Sequence, residues 1–307
     1  MRTVVLLCGD TTLPETSVDI DFDVVKVSAI PTRQELKLID ATAQHLLPHD
    51  LTPSLDDIAA SPDVAHLGTP RLAPQQVTTR FRVIVVGSDA ALSAVLTRMM
   101  RADYMWVEVG YVPIGDSTAA QNWALPADAP SALHLALTGP VRPVPLIRND
   151  AAIAVAGSAT ISTWDSAEFV GEIIVDDSIL TRPDIHASCG ARLVPMLDAP
   201  GIAAARAVTP FALPTGSDPA SPQSLMPSFM SSLKSSFLTR VFSRFFCNKA
   251  RVHPDYLGRL DATSIHSGRA LQAGGPNLRV SVDGVSAKRP VKRSTFYRHL
   301  RDLQIVR

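Results

Sequence analysis

Phe81-Arg82-Val83-Ile84-Val85-Val86-Gly87-Ser88-Asp89-Ala90-Ala91-Leu92 is the stretch on which the reading of this chain turns. Its first six residues are apolar except for Arg82 and rich in β-branched side chains, which predicts a buried strand. Gly87-Ser88-Asp89 then makes a turn. Residues 90–100 favour a helix with Leu92, Val95, Leu96 and Met99 on one face. Residues 106–112 read as the next strand, closed by Pro113-Ile114-Gly115, and Asp116-Ser117-Thr118 can cap a helix over 119–123. Strand, turn, helix, strand, turn, helix is the pattern of a parallel sheet with helices on its faces. Ligands of such folds bind at the carboxyl ends of the strands, where both polar turns lie.

Working outward toward the N-terminus, residues 4–7 and 24–27 are short β-branched strands, and 34–47 has helical spacing. Residues 48–76 are rich in Pro, Asp and Ser and hold one short helix near 55–60. Toward the C-terminus the character changes after Leu125-Pro126. Short strand-like runs follow at 153–156, 159–163, 169–175, 192–196, 278–282 and 304–306. The expected architecture is therefore an α/β N-terminal domain with a parallel sheet, residues 1–140, and a mostly β C-terminal domain, residues 141–307. A Pro/Ser-rich linker at 211–228 and a helix at 229–249 interrupt the second.

Across 307 residues, hydrophobic side chains make up 46% and charged ones 19%, which excludes disorder as a description of the whole. No apolar run approaches the roughly 18–20 residues needed to span a bilayer. The N-terminal apolar stretch is too short for a secretory signal, so a first strand is expected there. Three cysteines without metal spacing fit reduced thiols in a cytoplasmic protein. The formal net charge is zero, yet residues 1–70 hold eleven acids against four bases and residues 229–307 hold fifteen bases against four acids. That polarity suggests either a basic face for phosphate groups or mutual neutralisation of the two ends.

At the Gly87-Ser88-Asp89 turn, backbone amides at a helix start can receive phosphate oxygens, and Asp89 can hold a metal or orient an attacking hydroxyl. An N-cap with no further role is the alternative. Residues 85–92 resemble the Gly-Gly-Asp-Gly-Thr signature of the diacylglycerol kinase catalytic domain, whose superfamily includes NAD kinases and sphingosine kinases. Residues 112–120 resemble its second signature, Pro-x-Gly-Thr-Gly-Asn-Asp. Residues 132–144 resemble the helix and strand that follow, and residues 280–285 the family's Asp-Gly-Glu hairpin. Gly87, Asp89, Pro113 and Gly115 match. Ser88, Ala90 and Ala91 stand where the family has Gly, Gly and Thr, Asp116 where Thr is usual, and Val285 where it has Glu.

The resemblance implies an ATP site between the domains, Mg²⁺ as cofactor and transfer of the γ-phosphoryl group to a lipid hydroxyl. Gly87, Ser88, Asp89 and Ala90 would cradle phosphates, Gly115, Ser117 and Thr118 would complete the cleft, and Asp89 would be catalytic. The rival reading is a catalytically inactive nucleotide- or lipid-binding or scaffold protein on the same fold.

Two further features bear on partners. Glu172 and Asp176, with Glu168, share a strand face at period two and can hold Mg²⁺ or form a solvated face. Residues 229–249 carry an apolar stripe with basic residues and no acid. Phe237, Arg240, Phe242, Arg244 and Phe245 are its expected contacts with an anionic membrane, unless the helix docks on the β domain. Lys288, Arg289, Lys292 and Arg293 alternate with strand-like residues, which favours a solvated or phosphate-facing edge and no nucleic acid. The expectation is a cytoplasmic, peripherally membrane-associated protein whose homo-oligomerisation stays open.

Overall fold

β3 (Phe81–Gly87) is buried along its whole length because both its faces are covered. It lies between β1 (Arg2–Cys8) and β4 (Glu108–Pro113), and β2 (Asp23–Val27) completes a parallel sheet in the order β2-β1-β3-β4. Register puts Val83 opposite Val4 on one side and Val109 on the other. Alternation along the strands sends Val4, Leu6, Val83, Val85 and Tyr111 toward α1 (Lys37–Leu46) and α2 (Asp89–Arg101). Val5, Leu7, Ile84, Val86 and Val112 face the other way, away from α3 (Thr118–Asn122) and onto α4 (Ala129–Thr138). The computed structural model describes residues 1–46, 68–75, 77–185, 188–211 and 258–307. The helix expected near 55–60, residues 212–228 of the linker and the whole stretch 229–249 lie outside the described residues.

Local chemistry sets the helix ends. The Ser88 hydroxyl accepts from Ala91 N at 3.3 Å to start α2, and Asp128 Oδ1 accepts from Ser131 N at 2.8 Å to start α4. Arg82, the one charge in the β3 run, is 2% exposed. Its guanidinium donates to the carbonyls of Ala136, Leu137 and Gly139 at 2.7–3.0 Å, closing the C-terminal end of α4. Glu108 neutralises it through Nε at 2.8 Å. A buried Arg is tolerated here because every donor direction is answered. Asp40 of α1 does similar work, accepting from Arg98 and from the Tyr104 hydroxyl at 2.9 Å, and so locks α1 to α2.

The second unit is an eleven-stranded, mostly antiparallel sheet. Its central run is β12-β11-β10-β7-β13-β15-β5-β6, comprising His266–Gly268, Ile202–Ala207, Gly190–Pro195, Ala159–Thr163, Ala270–Val282, Val291–Arg298, Ile147–Asn149 and Ala154–Val155. β14 (Val285–Ser286) and β8 (Glu172–Val175) pair with β13, and β9 (Ser178–Thr181) pairs with β8. Ile161, Ile173, Leu193, Leu271, Leu278 and Phe296 fill its core. The α/β domain with a parallel sheet followed by a mostly β domain is thus the observed architecture.

The two units are stitched at several places. The α2 side chains Ser93 and Thr97 bond the backbone of Ala154 at 2.7 and 2.9 Å. The chain end also returns. Ile305 bridges Val109 of β4 in parallel, and Val306 and Leu303 bridge Val141 and Val144. The run 304–306, expected among the strands of the second domain, therefore lies against the first sheet. An open parallel edge at β4 offers unpaired amides, and the last residues satisfy them.

Candidate functional site

The carboxyl ends of β3 and β4 meet the start of the β domain at one corner. Gly87 is a glycine for packing: a Cβ there would lie 2.8 Å from Cys8 Cβ. Ser88 is exposed as the α2 N-cap, and Gly115, at φ +77° in the turn after β4, has open space around it. The structure brings together all the predicted phosphate-loop residues, Gly87, Ser88, Asp89, Ala90, Gly115, Ser117 and Thr118, because Asp89 joins the two turns. Its Oδ1 accepts from the Tyr111 hydroxyl at 2.9 Å and from Ser117 Oγ at 2.5 Å. Its Oδ2 accepts from the backbone amides of Thr118 at 2.8 Å and Ala119 at 3.2 Å. A carboxylate has about four lone-pair sites, so Asp89 is saturated by protein donors. It caps α3 together with Ser117, whose Oγ accepts from Ala120 N at 2.9 Å. Burial pushes the Tyr111 phenol well above its usual pKa, so it stays a donor.

Asp283 is the residue that pattern reasoning passed over. It stands at φ +49° in the hairpin turn between β13 and β14. Its carboxylate accepts from the amides of Ala156, Gly157 and Ser158 at 2.8, 2.7 and 2.8 Å. The Gly157 carbonyl in turn accepts from Asn122 Nδ2 of α3 at 3.0 Å. A Cβ on Gly157 would sit 2.5 Å from Asp89 Oδ2 and 2.9 Å from Ala119 N. Gly157 is therefore one contact point of the two domains, with one aspartate on each side. Burial pushes the Asp283 carboxyl up to about 7, against the pull of its three amides and with the Asp89 charge adding to the rise. The resemblance marks residues 280–285 as a hairpin, and the Asp-Gly pair in a tight turn is the sequence signal for Asp283.

Beside this corner a cleft of about 920 Å³ opens between the domains. One wall is α2 with the loop after β2, through Ala90, Ala94, Thr97, Arg101 and Ile30. The other is the β13–β14–β15 hairpin, through Val280, Val282, Val285 and Arg293. Of its arginines, Arg98 is held by Asp40, and Arg101 donates to the carbonyls of Ala151 and Ala152 at 2.9 and 3.0 Å. Arg33 and Arg293, one on each wall, have no partner among the described residues.

The expected Mg²⁺ ligands lie elsewhere. Asp176 is not on the strand with Glu172 but in the turn after it, at φ +48°. Its oxygens accept from the amides of Arg269 and Ala270 at 2.9–3.1 Å, which fixes the start of β13. Asp283 follows the other end of the same thirteen-residue strand. At about 3.3 Å per residue the two aspartates lie up to roughly 40 Å apart. Exposure still alternates from Glu172 to Asp176, but Asp176 lies one residue past the strand and its oxygens are engaged by backbone amides. No group of three or more His, Cys, Asp or Glu side chains that could hold a metal occurs among the described residues. Phe237, Arg240, Phe242, Arg244 and Phe245 lie outside the described residues, and no described helix is long and apolar enough to cross a membrane.

No family model matches the chain, and no curated protein matches it in sequence. Solved structures do resemble it. A diacylglycerol kinase from Bacillus anthracis str. Sterne aligns over 99% of this chain and 96% of its own at 10% identity, with a TM-score of 0.52. Two further structures, each of a candidate diacylglycerol kinase from the same organism, align over the same shares at 9% identity, with TM-scores of 0.52 and 0.50. At such identity the likeness is one of fold: the described residues have the two-domain architecture of these diacylglycerol kinase structures.

Proposed function

We propose that the protein is a binding protein on the diacylglycerol kinase fold, which takes a phosphate-bearing ligand between its two domains and does not transfer a phosphoryl group. The observation that carries this reading is the state of its carboxylates. Asp89 is saturated by two hydroxyls and two amides, and Asp283 is held by three amides. A carboxylate that activates a hydroxyl or binds a cation must present a free lone pair to it. Where the family's hairpin has Glu, this chain presents the side chain of Val285, 48% exposed. Among the described residues no three metal-ligating side chains gather at this corner: Asp89 is saturated, Asp283 keeps one lone pair, and Glu172 and Asp176 belong to the far end of β13.

Transfer of label from γ-labelled ATP in the presence of Mg²⁺ to a total lipid extract tests this directly. Incorporation no higher than in a protein-free control is expected. Turnover above that control would overturn the reading.

The kinase reading keeps one observation in its favour, the convergence of the two phosphate-loop turns at the sheet's carboxyl edge. Ser88 and Gly115 are exposed there, and the backbone of both turns can approach an anion. Calorimetry with ATP separates nucleotide binding from its absence. No heat at millimolar ATP would leave the cleft to another phosphate-bearing ligand. Cytoplasmic residence with attachment to anionic membranes through 229–249 belongs to the same proposal.

A further inference from the structure

We infer that copies of this chain associate through opposite charges, the basic tip of the β14–β15 hairpin of one copy seating on the acidic loop between β1 and β2 of another. From Gly284 to Tyr297 the hairpin carries Lys288, Arg289, Lys292 and Arg293 and no acid, and all four are exposed. Arg293 lines the interdomain cleft, whereas Lys288, Arg289 and Lys292 stand outside it. None of these three has a partner among the described residues. Like charges this close repel one another, and a counter-charge relieves them. The formal net charge of the whole chain is zero, so two copies approach without repulsion between their net charges.

The counter-charge lies across the parallel sheet. No base occurs from Thr3 to Val25, while Asp10, Glu15, Asp19, Asp21 and Asp23 are all exposed. Asp23 is paired with Arg2 at 3.1 Å, and the other four have no cationic partner among the described residues. Leu13, Val18, Ile20 and Phe22 pack on the core beneath α4, so exposure alternates along the loop and Asp19 and Asp21 stand outward. A row of acids anchored in this way loses little further freedom on binding. Two hollows of about 630 and 330 Å³ adjoin the loop and meet at Pro130. Asp10 stands on the wall of one and Glu15 on that of the other, and neither is lined by Lys or Arg. Thr11 Oγ1 is buried beside them with no hydrogen-bond partner among the described residues. Acids and hydroxyls around a hollow suit the head of a long basic side chain. The hairpin meets the α2 side of the sheet and the loop the α4 side. The three free bases therefore find the four free acids on another copy.

The test is sedimentation equilibrium of the full chain. At about 0.01 M salt, where the Debye length is about 30 Å, the mass of two chains or more is expected; at about 1 M, where it is about 3 Å, the mass of one. Reversing the hairpin, K288E/R289E/K292E, or the loop, D10K/E15K/D19K/D21K, should each give single chains at low salt. An equimolar mixture of the two variants should associate again, because each then carries at both patches the charge that the other lacks. The reversed side chains are exposed and unpaired, so both variants should unfold thermally like wild type, and the mixture regains association only if both are folded. A wild type that stays a single chain at low salt, reversed variants that associate as it does, or a mixture that remains single would each overturn the inference. Association lost in K234Q/R240Q/R244Q but kept on hairpin reversal would assign the acids to the 229–249 bases and overturn it equally.

Discussion

Asp176 and Asp283 close turns beyond opposite ends of β13, and locally they are nearly the same device. Both have positive φ, 48° and 49°, and both turn their carboxylates back onto backbone amides. What separates them is the next layer outward. Beyond Asp176 come Gly268, where a Cβ would lie 2.8 Å from its Oδ2, and then solvent, since its side chain is exposed at the rim of the β domain. Beyond Asp283 come Gly157, then Asp89, then the start of α3. The same residue in the same turn is a hairpin clamp at one end and part of the domain junction at the other. Residue type and turn geometry do not mark a site; the packing behind them does.

The largest effect is expected at Gly157. Val at 157 would place its Cβ 2.5 Å from Asp89 Oδ2 and 2.9 Å from Ala119 N, neither of which can give way without uncapping α3. A loss of about 3 kcal/mol is expected in urea unfolding, at the upper end for overpacking. A variant as stable as wild type would mean that the domains part freely there. Next comes truncation of each aspartate. Asp283→Ala leaves three part-buried amides without an acceptor and should cost about 2 kcal/mol or more. Asp176→Ala leaves exposed amides that water reaches, and about 1 kcal/mol or less is expected. Equal losses at the two ends would remove the distinction drawn between them.

How much of this could be read from the chain follows the same division between local and distant partners. The strand–turn–helix at 81–101 was legible because periodicity and composition act within ten residues. The parallel sheet followed from repeating that unit. Arg82 in the middle of a buried run was not legible as a helix cap, because its carbonyl partners lie 54 to 57 residues further on. Asp89 was read both as an N-cap and as a metal or hydroxyl ligand. It is indeed a cap, but for α3, with donors 28 to 30 residues away. Asp283 meets its amides across 125 to 127 residues, a distance at which no sequence period operates. The Glu172–Asp176 pair shows the converse: exposure follows the strand period, but the turn that gives Asp176 its amide partners is set by Arg269 and Ala270, 93 to 94 residues on.

A smaller effect sharpens the role of Asp89. Its replacement by Ala removes the acceptor for the Thr118 and Ala119 amides and for Ser117, and about 1–2 kcal/mol is expected, as for loss of a helix cap. Because Asp89 and Ser117 cap α3 together, adding Ser117→Ala to that variant should cost less than Ser117→Ala alone. Thermal unfolding of the four proteins in the cycle measures this. Strict additivity would indicate two independent contacts and no shared cap.

A pH dependence confined to one end of β13 decides between two opposed influences on Asp283. Burial and the Asp89 charge raise its pKa from 3.8 to about 7, while its three amides pull it down. With a raised folded pKa, the folded chain holds the proton more tightly than the unfolded one between those values. The proton's contribution to stability is then complete below about pH 4 and is lost as pH rises through 7. One fully buried proton would give a slope of about 1.4 kcal/mol per pH unit. The half-buried Asp283 is screened by solvent, so about 1 kcal/mol over the whole window is expected. Unfolding free energies of wild type and Asp283→Ala, measured from pH 4 to 8, should converge as pH rises. A gap that widens instead would show the carboxylate form to be the one the amides hold. The junction would then be an anion clamp of the same kind as Asp176, and the contrast between the two ends would reduce to burial alone.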